Sequence, residues 1–168
     1  MGFRKILITV ICVLLSPVFL VGCKDTLSQE DKELIISNQV DCMAKLEDEM
    51  SQIWNSYADS NGLMSFYGYL DVNSNTYMAA QEMKEVIAVY EEKIMAESNK
   101  VDKDKVDDAE FLEYLNNVNE YIFAINNYAQ SMEDGNLDRF TQAKEDVERY
   151  GKLIGNYAQT QINNQKYL

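Results

Sequence analysis

The chain contains a single proline, Pro17, so no later residue interrupts a helix for want of an amide hydrogen. Downstream of it, apolar residues recur at alternating spacings of four and three along residues 106–133. Because an α-helix has about 3.6 residues per turn, this spacing places them on one face, which must be buried. The residues are Phe111, Leu115, Val118, Ile122, Ile125, Ala129 and Met132. The pattern predicts a long amphipathic helix.

Three further segments repeat this periodicity. The turn Asp134-Gly135-Asn136 separates the last two helices, since glycine suits a helix C-terminus and asparagine an N-cap. We predict an all-α fold, an antiparallel bundle of about four helices over residues 34–168, with a short turn or helix at 63–70 and a polar connection at 99–104. The three apolar sets are Ile36, Met43, Leu46, Met50, Ile53 and Tyr57; Met83, Val86, Ile87, Tyr90 and Ile94; and Phe140, Ala143, Val147, Tyr150, Ile154 and Tyr157.

The N-terminus has the architecture of an export signal. Arg4 and Lys5 form a basic start, and the apolar residues 6–21 follow. A permanent transmembrane helix is the alternative, but sixteen residues fall short of the 17–25 that a bilayer core requires. A secretory signal cut at an ordinary small-residue site is a second alternative. The motif Leu20-Val21-Gly22-Cys23 resembles the lipobox of bacterial lipoproteins, in which signal peptidase II cuts before a cysteine that already carries a diacylglyceryl group.

This resemblance implies a signal peptide at residues 1–22, a lipid on Cys23 and a polar spacer at 23–33. The anchored domain would face the extracytoplasmic side of the cell membrane, or reach the outer membrane in a Gram-negative host, because Lys24 is not the aspartate that causes inner-membrane retention. The chain also resembles small helical lipoproteins of Gram-positive bacteria and their mobile elements. The resemblance implies a non-enzymatic interaction or structural module, with mobile-element exclusion or immunity as an alternative role.

The charge of the chain is strongly negative. Removal of residues 1–22 takes away two basic residues and no acidic one, which changes the formal charge from −13 to −15. Phosphate backbones bind clustered lysine and arginine, so a nucleic-acid partner is excluded. Anionic lipid headgroups would also be repelled, so we expect the membrane to be bound through the lipid anchor alone. The remaining expected partner is a protein or another component of the cell envelope.

The chain has no histidine, which removes Ser-His and Cys-His catalytic arrangements and histidine-based metal sites. Cys42 is the only thiol outside residues 1–23, and its place beside Met43 on an apolar helix predicts a small buried residue. We therefore expect no enzymatic activity and no cofactor other than the covalent lipid.

Residues 71–82 resemble the twelve-residue calcium loop of EF-hand proteins, and a calcium-binding module is a second functional hypothesis. The candidate ligands are Asp71, Asn73, Asn75, the Tyr77 carbonyl and Glu82. The resemblance departs from the family at position 6, where Thr76 replaces the glycine that supplies a positive φ. The helix–helix turn formed by residues 134–145 has the same spacing of acceptors, so the spacing also arises in ordinary turns.

Tyrosine is abundant, with eleven in the chain, and Tyr114, Tyr121 and Tyr128 are spaced seven apart beside the third apolar seam. One hypothesis is an exposed face that binds a protein or a glycan, since tyrosine combines rigid contact area with a hydroxyl. The alternative is that these rings seal the rim of the bundle with their hydroxyls in water. The only tryptophan, Trp54, is predicted to belong to the core.

Overall fold

The computed structural model of the chain describes residues 27–58 and 74–164, which form four α-helices and one short 3-10 helix. Helix α1 spans Gln29–Tyr57 and α2 spans Asn75–Ser98. After the 3-10 helix Lys103–Lys105, α3 spans Ala109–Glu133 and α4 spans Leu137–Asn164. The described ranges contain no β-strand, and the predicted all-α bundle is confirmed. None of the four helices combines the length and the apolar character needed to cross a bilayer.

Each α-helix begins at a residue whose side chain caps it. Ser28 accepts from the amide of Asp31 at 3.1 Å, and Ser74 accepts from the amide of Tyr77 at 3.2 Å. A side-chain oxygen at this position satisfies an amide that has no partner within the helix. Helices α3 and α4 begin in the same way, since Asp108 accepts from the amide of Phe111 and Asn136 accepts from that of Arg139, both at 3.0 Å.

The caps shift two predicted boundaries. The polar spacer predicted at residues 23–33 is wrong in its second half, because α1 begins at Gln29. Ile35 is already buried one turn and a half later, so the polar first turn extends a helix that the core holds in place. Helix α3 begins at Ala109, a little after the predicted residue 106. The predicted signal at 1–22, Cys23 and the predicted turn or short helix at 63–70 lie outside the described residues.

The turn between α3 and α4 is the one that the sequence predicts. Gly135 has a φ of 62°, in the left-handed region that glycine occupies at low cost. The amide of Asn136 donates to the carbonyl of Ser131 at 2.9 Å, and that of Gly135 to the carbonyl of Met132 at 3.2 Å. These bonds satisfy the last carbonyls of α3 and reverse the chain within three residues.

Successive helices are antiparallel neighbours, and the core fills the space between them. Contacts are most extensive within the pairs α3–α4, α1–α2 and α2–α3, whereas α1 and α4 have only few contacts with each other. The most deeply buried side chains come from the predicted seams together with several residues between them. They include Leu46, Ala79, Ala80, Met83, Ile87, Ile94, Phe111, Leu115, Val118, Tyr121, Ala129 and Met132. The sparse α1–α4 contact positions the site described next.

Candidate functional site

A groove runs between α1 and α4, where the bundle is least tightly closed. It has a volume of about 760 Å³. A second, smaller gap of about 320 Å³ lies between the same two helices, nearer the start of α1. The larger groove is lined by Glu47, Met50, Ser51, Trp54 and Asn55 of α1, Met83 of α2, Ile125 and Tyr128 of α3, and Lys144, Val147, Glu148, Gly151 and Lys152 of α4.

The floor of the groove is apolar. Met83 and Ile125 reach it from α2 and α3 and are 1% and 2% exposed, so they belong to the core as well. Met50 is buried beside them, and Tyr128 and Val147 are half-buried. A binding surface with an apolar centre and a polar edge has the composition of protein–protein interfaces.

Trp54 closes one end of the groove. Its ring stacks on that of Phe140, with centroids 6.0 Å apart and planes inclined by 19°. The ring of Tyr128 lies 4.6 Å from the same phenylalanine on another side. The only tryptophan of the chain, predicted to belong to the core, is only half-buried: part of its surface packs against the core and the rest lines the groove.

The two walls carry different charges. The α1 wall presents exposed Glu47, Ser51 and Asn55, and the α4 wall presents Lys144 and Lys152 on either side of Glu148. Tyr121 donates its hydroxyl to Oε1 of Glu47 at 2.7 Å and thereby fixes the acidic wall to α3. Neither lysine has an ion-pair or hydrogen-bond partner within the described residues.

Gly151 contributes to the depth of the groove. It lies half-buried next to Lys152 on the α4 wall, and a Cβ at this position would be 3.8 Å from Cε2 of Tyr121, which is ordinary van der Waals contact. A small side chain would therefore fit, whereas a large one would extend into the groove. Glycine in a helix interior costs about 0.5–1 kcal/mol relative to alanine, so the open wall has an energetic cost.

The predicted tyrosine face is wrong for two of its three members. Tyr114 and Tyr121 are 1% and 0% exposed, and their rings belong to the core, not to its rim. The physical reason is that α3 packs against α2 and α4 and also faces α1, so its buried surface is wider than a single seam. Only Tyr128 is half-buried, and it lines the groove.

Burial raises the pKa of all three phenols well above the ordinary value near 10. The hydroxyls differ in their partners. That of Tyr121 is bonded to Glu47, whereas that of Tyr114 is buried without a hydrogen-bond partner in the described part of the chain. The ring of Tyr114 stacks on that of Tyr157 at 4.9 Å.

The described part of the predicted calcium loop is a helix, which corrects that prediction. Asn75, Tyr77 and Glu82 all lie in α2, where Tyr77 is on the opposite face from the other two. The side-chain amide of Asn75 donates to the backbone carbonyl of Tyr57 at 2.9 Å, and the Glu82 carboxylate accepts from the Tyr57 hydroxyl. Both side chains are therefore bonded to Tyr57 of α1. Asp71 and Asn73 lie outside the described residues.

The reason lies at position 6 of the loop. No described residue other than glycine has a positive φ, and Thr76 is buried in the first turn of α2 after the Ser74 cap. A helical backbone also engages its carbonyls with amides four residues on, so the Tyr77 carbonyl is not directed at a cation. Among the described residues, no three acidic or cysteine side chains cluster closely enough to hold a metal ion.

Two polar contacts stabilise the ends of the helices away from the groove. Asp108 binds Nζ of Lys32 at 2.7 Å as well as capping α3. Burial of Asp108 opposes its ionisation, but the ion pair and the amide bond outweigh that cost, so its pKa lies below the usual value. Cys42, predicted to be a small buried residue, packs against the core but is only half-buried.

The described residues thus define an all-α four-helix bundle with a charged, apolar-floored groove between its first and last helices. Comparison with protein-family models, with curated proteins and with solved structures finds no match to this chain.

Proposed function

We propose that the protein is a lipid-anchored lipoprotein whose bundle acts as a non-enzymatic interaction module on the extracytoplasmic face of the membrane. The anchor rests on the Leu20-Val21-Gly22-Cys23 motif. The interaction role is carried by one observation, the α1–α4 groove, in which an apolar floor is surrounded by the only tryptophan and by two lysines that have no ion-pair partner among the described residues. Exposed aromatic and apolar surface with a polar edge favours a macromolecular partner.

Binding fits the groove better than catalysis. Its charged groups, Glu47, Lys144, Glu148 and Lys152, are exposed at the edges and do not converge on one point of the floor. The hydroxyl of Ser51 on the α1 wall donates to the backbone carbonyl of Glu47 at 2.8 Å, so within the described residues it is not bonded to a base that could activate it. The groove therefore offers contact area and charge, without a nucleophile prepared for reaction.

The position of the groove suits a partner outside the bilayer. Five residues lie between Cys23 and Gln29, and whatever their conformation the six steps of chain reach at most about 20 Å. The bundle would thus stay close to the membrane. The groove begins at Glu47 and ends at Asn55, which is about 27 to 39 Å along α1 from Gln29, so it lies far from the tethered end.

The anchor is tested by metabolic labelling with a clickable palmitate analogue. We expect labelled wild-type protein and unlabelled Cys23→Ser, because the thiol is the attachment site. An unlabelled wild-type protein would refute the anchor.

The interaction role is tested by placing a photo-crosslinking amino acid at Asn55, on the edge of the groove, in the native host. Glu92, exposed on α2 and outside the groove, is the matched control position. We expect a discrete adduct from position 55 and none from position 92. Equal adducts from both positions, or none from either, would contradict a role for the groove.

A further inference from the structure

We propose that the α1–α4 groove receives a short amphipathic helix of a partner protein, which lies between α1 and α4 with acidic side chains directed at Lys144 and Lys152. This inference rests on the proposed function and specifies the chemistry of the partner.

The dimensions of the groove match two turns of helix. Its α1 wall runs from Glu47 to Asn55 and its α4 wall from Lys144 to Lys152, nine residues in each case. The eight helical rises between the first and the last of these residues extend about 12 Å. A docked helix that uses apolar anchors at positions i, i+4 and i+7 spans about 10.5 Å, so its anchors fit within the length of the floor.

The floor has the chemistry of grooves that bind helices. Met50 and Met83 supply flexible, polarisable side chains that adapt to the shape of an inserted residue. Trp54 and Tyr128 are of the residue types that contribute most to binding energy in protein interfaces. The charged residues on both walls are exposed to solvent, so a macromolecular ligand with its own apolar face suits the groove better than an enclosed small molecule.

The charges of the walls favour one orientation of the partner. Four basic residues of the described chain lie in α4, and two of them, Lys144 and Lys152, line the groove without an ion-pair partner among the described residues. Glu148 lies between them, which leaves this wall with one net positive charge, while the facing α1 wall carries the carboxylate of Glu47. A partner helix with acids seven or eight residues apart on one flank and a basic residue on the other complements both walls.

The experiment uses the full-length lipoprotein in phosphatidylcholine liposomes and follows the emission of Trp54, the only tryptophan of the chain. The probe is a synthetic amphipathic peptide without tryptophan or tyrosine. It has leucines on one face, two glutamates two turns apart on one flank and an arginine on the other. A second peptide carries lysines in place of the glutamates. We expect the acidic peptide to shift Trp54 emission to shorter wavelength with saturation, and to bind at least several-fold more tightly than the lysine peptide.

Charge reversal tests the assigned contacts. Lys144→Glu/Lys152→Glu should weaken binding of the acidic peptide about tenfold and favour the lysine peptide, since two exposed ion pairs are replaced by repulsion. The matched control is Lys45→Glu/Lys103→Glu, which changes net charge equally at exposed positions outside the groove and should leave binding unchanged. Helical circular dichroism confirms that each variant is folded, and Lys144→Gln/Lys152→Gln gives a milder version of the same loss.

Three results would overturn the inference. The first is that the acidic peptide leaves Trp54 emission unchanged. The second is that the Lys144→Glu/Lys152→Glu variant binds the acidic peptide as tightly as the control variant does. The third is that dodecanoate shifts the emission while neither peptide does. The last result identifies an anionic amphiphile as the occupant. Because palmitate labelling and crosslinking from Asn55 do not depend on these peptides, a labelled, crosslinked protein that ignores both peptides refutes the helix ligand and leaves the interaction module intact.

Discussion

Two buried phenols on the same helix should respond in opposite directions to the same substitution. Tyr114 and Tyr121 are both almost inaccessible, and replacement of either by phenylalanine removes one hydroxyl and leaves the ring in place. In Tyr121→Phe the change deletes a bond of 2.7 Å to the Glu47 carboxylate. In Tyr114→Phe it deletes a buried hydroxyl that has no partner among the described residues.

The expected free energies follow from these contacts. A hydrogen bond to a charged group contributes about 1.5–3 kcal/mol, and the lower end applies to Tyr121 because Glu47 is exposed and stays hydrated after the change. A buried polar group without a partner costs about 1–3 kcal/mol, so Tyr114→Phe should stabilise by about 1 kcal/mol. The two variants should therefore differ by about 2.5 kcal/mol, or by roughly 5–10 °C in Tm for a domain of this size.

The assay is thermal and urea unfolding of both variants and of the wild type, followed by circular dichroism at neutral pH. Tyr121→Phe should unfold below the wild type and Tyr114→Phe above it, with equal urea m-values because the exposed area hardly changes. If Tyr114→Phe destabilises the protein as much as Tyr121→Phe, the hydroxyl of Tyr114 is satisfied in solution and the reasoning is refuted.

Three further outcomes follow. Gly155→Ala should stabilise by about 0.5–1 kcal/mol in urea unfolding, because this α4 position is surrounded by open space and a helix interior favours alanine; a destabilised variant would contradict it. Asp108→Ala should cost about 1–2 kcal/mol through loss of the α3 cap and the Lys32 ion pair, whereas Asp108→Asn, which keeps a cap, should cost less; equal losses would refute the role of the cap. Burial and nearby acids raise the pKa of Tyr157 to about 12, above the ordinary value of 10. The contribution of the neutral phenol to the free energy of unfolding is therefore complete below about pH 10 and is lost as the pH rises through 12. In a pH titration followed by phenolate absorbance, Tyr157→Phe should lack one phenol that ionises near this pH. A titration curve identical to that of the wild type would refute the assignment.

The helices were predictable because their signals are local. The seam of α3, the Gly135 turn and the capping residues each act within a few positions, so periodicity and capping chemistry locate them. The errors arose where a local signal was ambiguous. Residues 29–33 are as polar as a linker, yet they continue α1, because Ser28 caps the helix and the buried Ile35 and Ile36 hold it against the core.

The candidate site was harder to predict because it depends on distances between helices. The seven-residue spacing of Tyr114, Tyr121 and Tyr128 places them on one face but does not say how many neighbours cover that face. Likewise, residues 71–82 have ligand spacing for calcium, but in the described residues 74–82 the Ser74 cap and the buried Thr76 favour a helix. The sequence of α4 indicates the groove only weakly, because Lys144, Gly151 and Lys152 place polar and small residues beside the apolar stripe of this helix.

The groove is held open by contacts at both ends of the α1–α4 interface. At one end Trp54 stacks on Phe140, and at the other Gln29 donates to Gln161 at 3.2 Å. Between these contacts, Gly151 offers no side chain that would fill the space. A partner would therefore meet a surface whose backbone is already in place, in helices held by three closely packed interfaces. Such preorganisation lowers the conformational entropy lost on binding, so a groove with few charged contacts can still support a specific interaction.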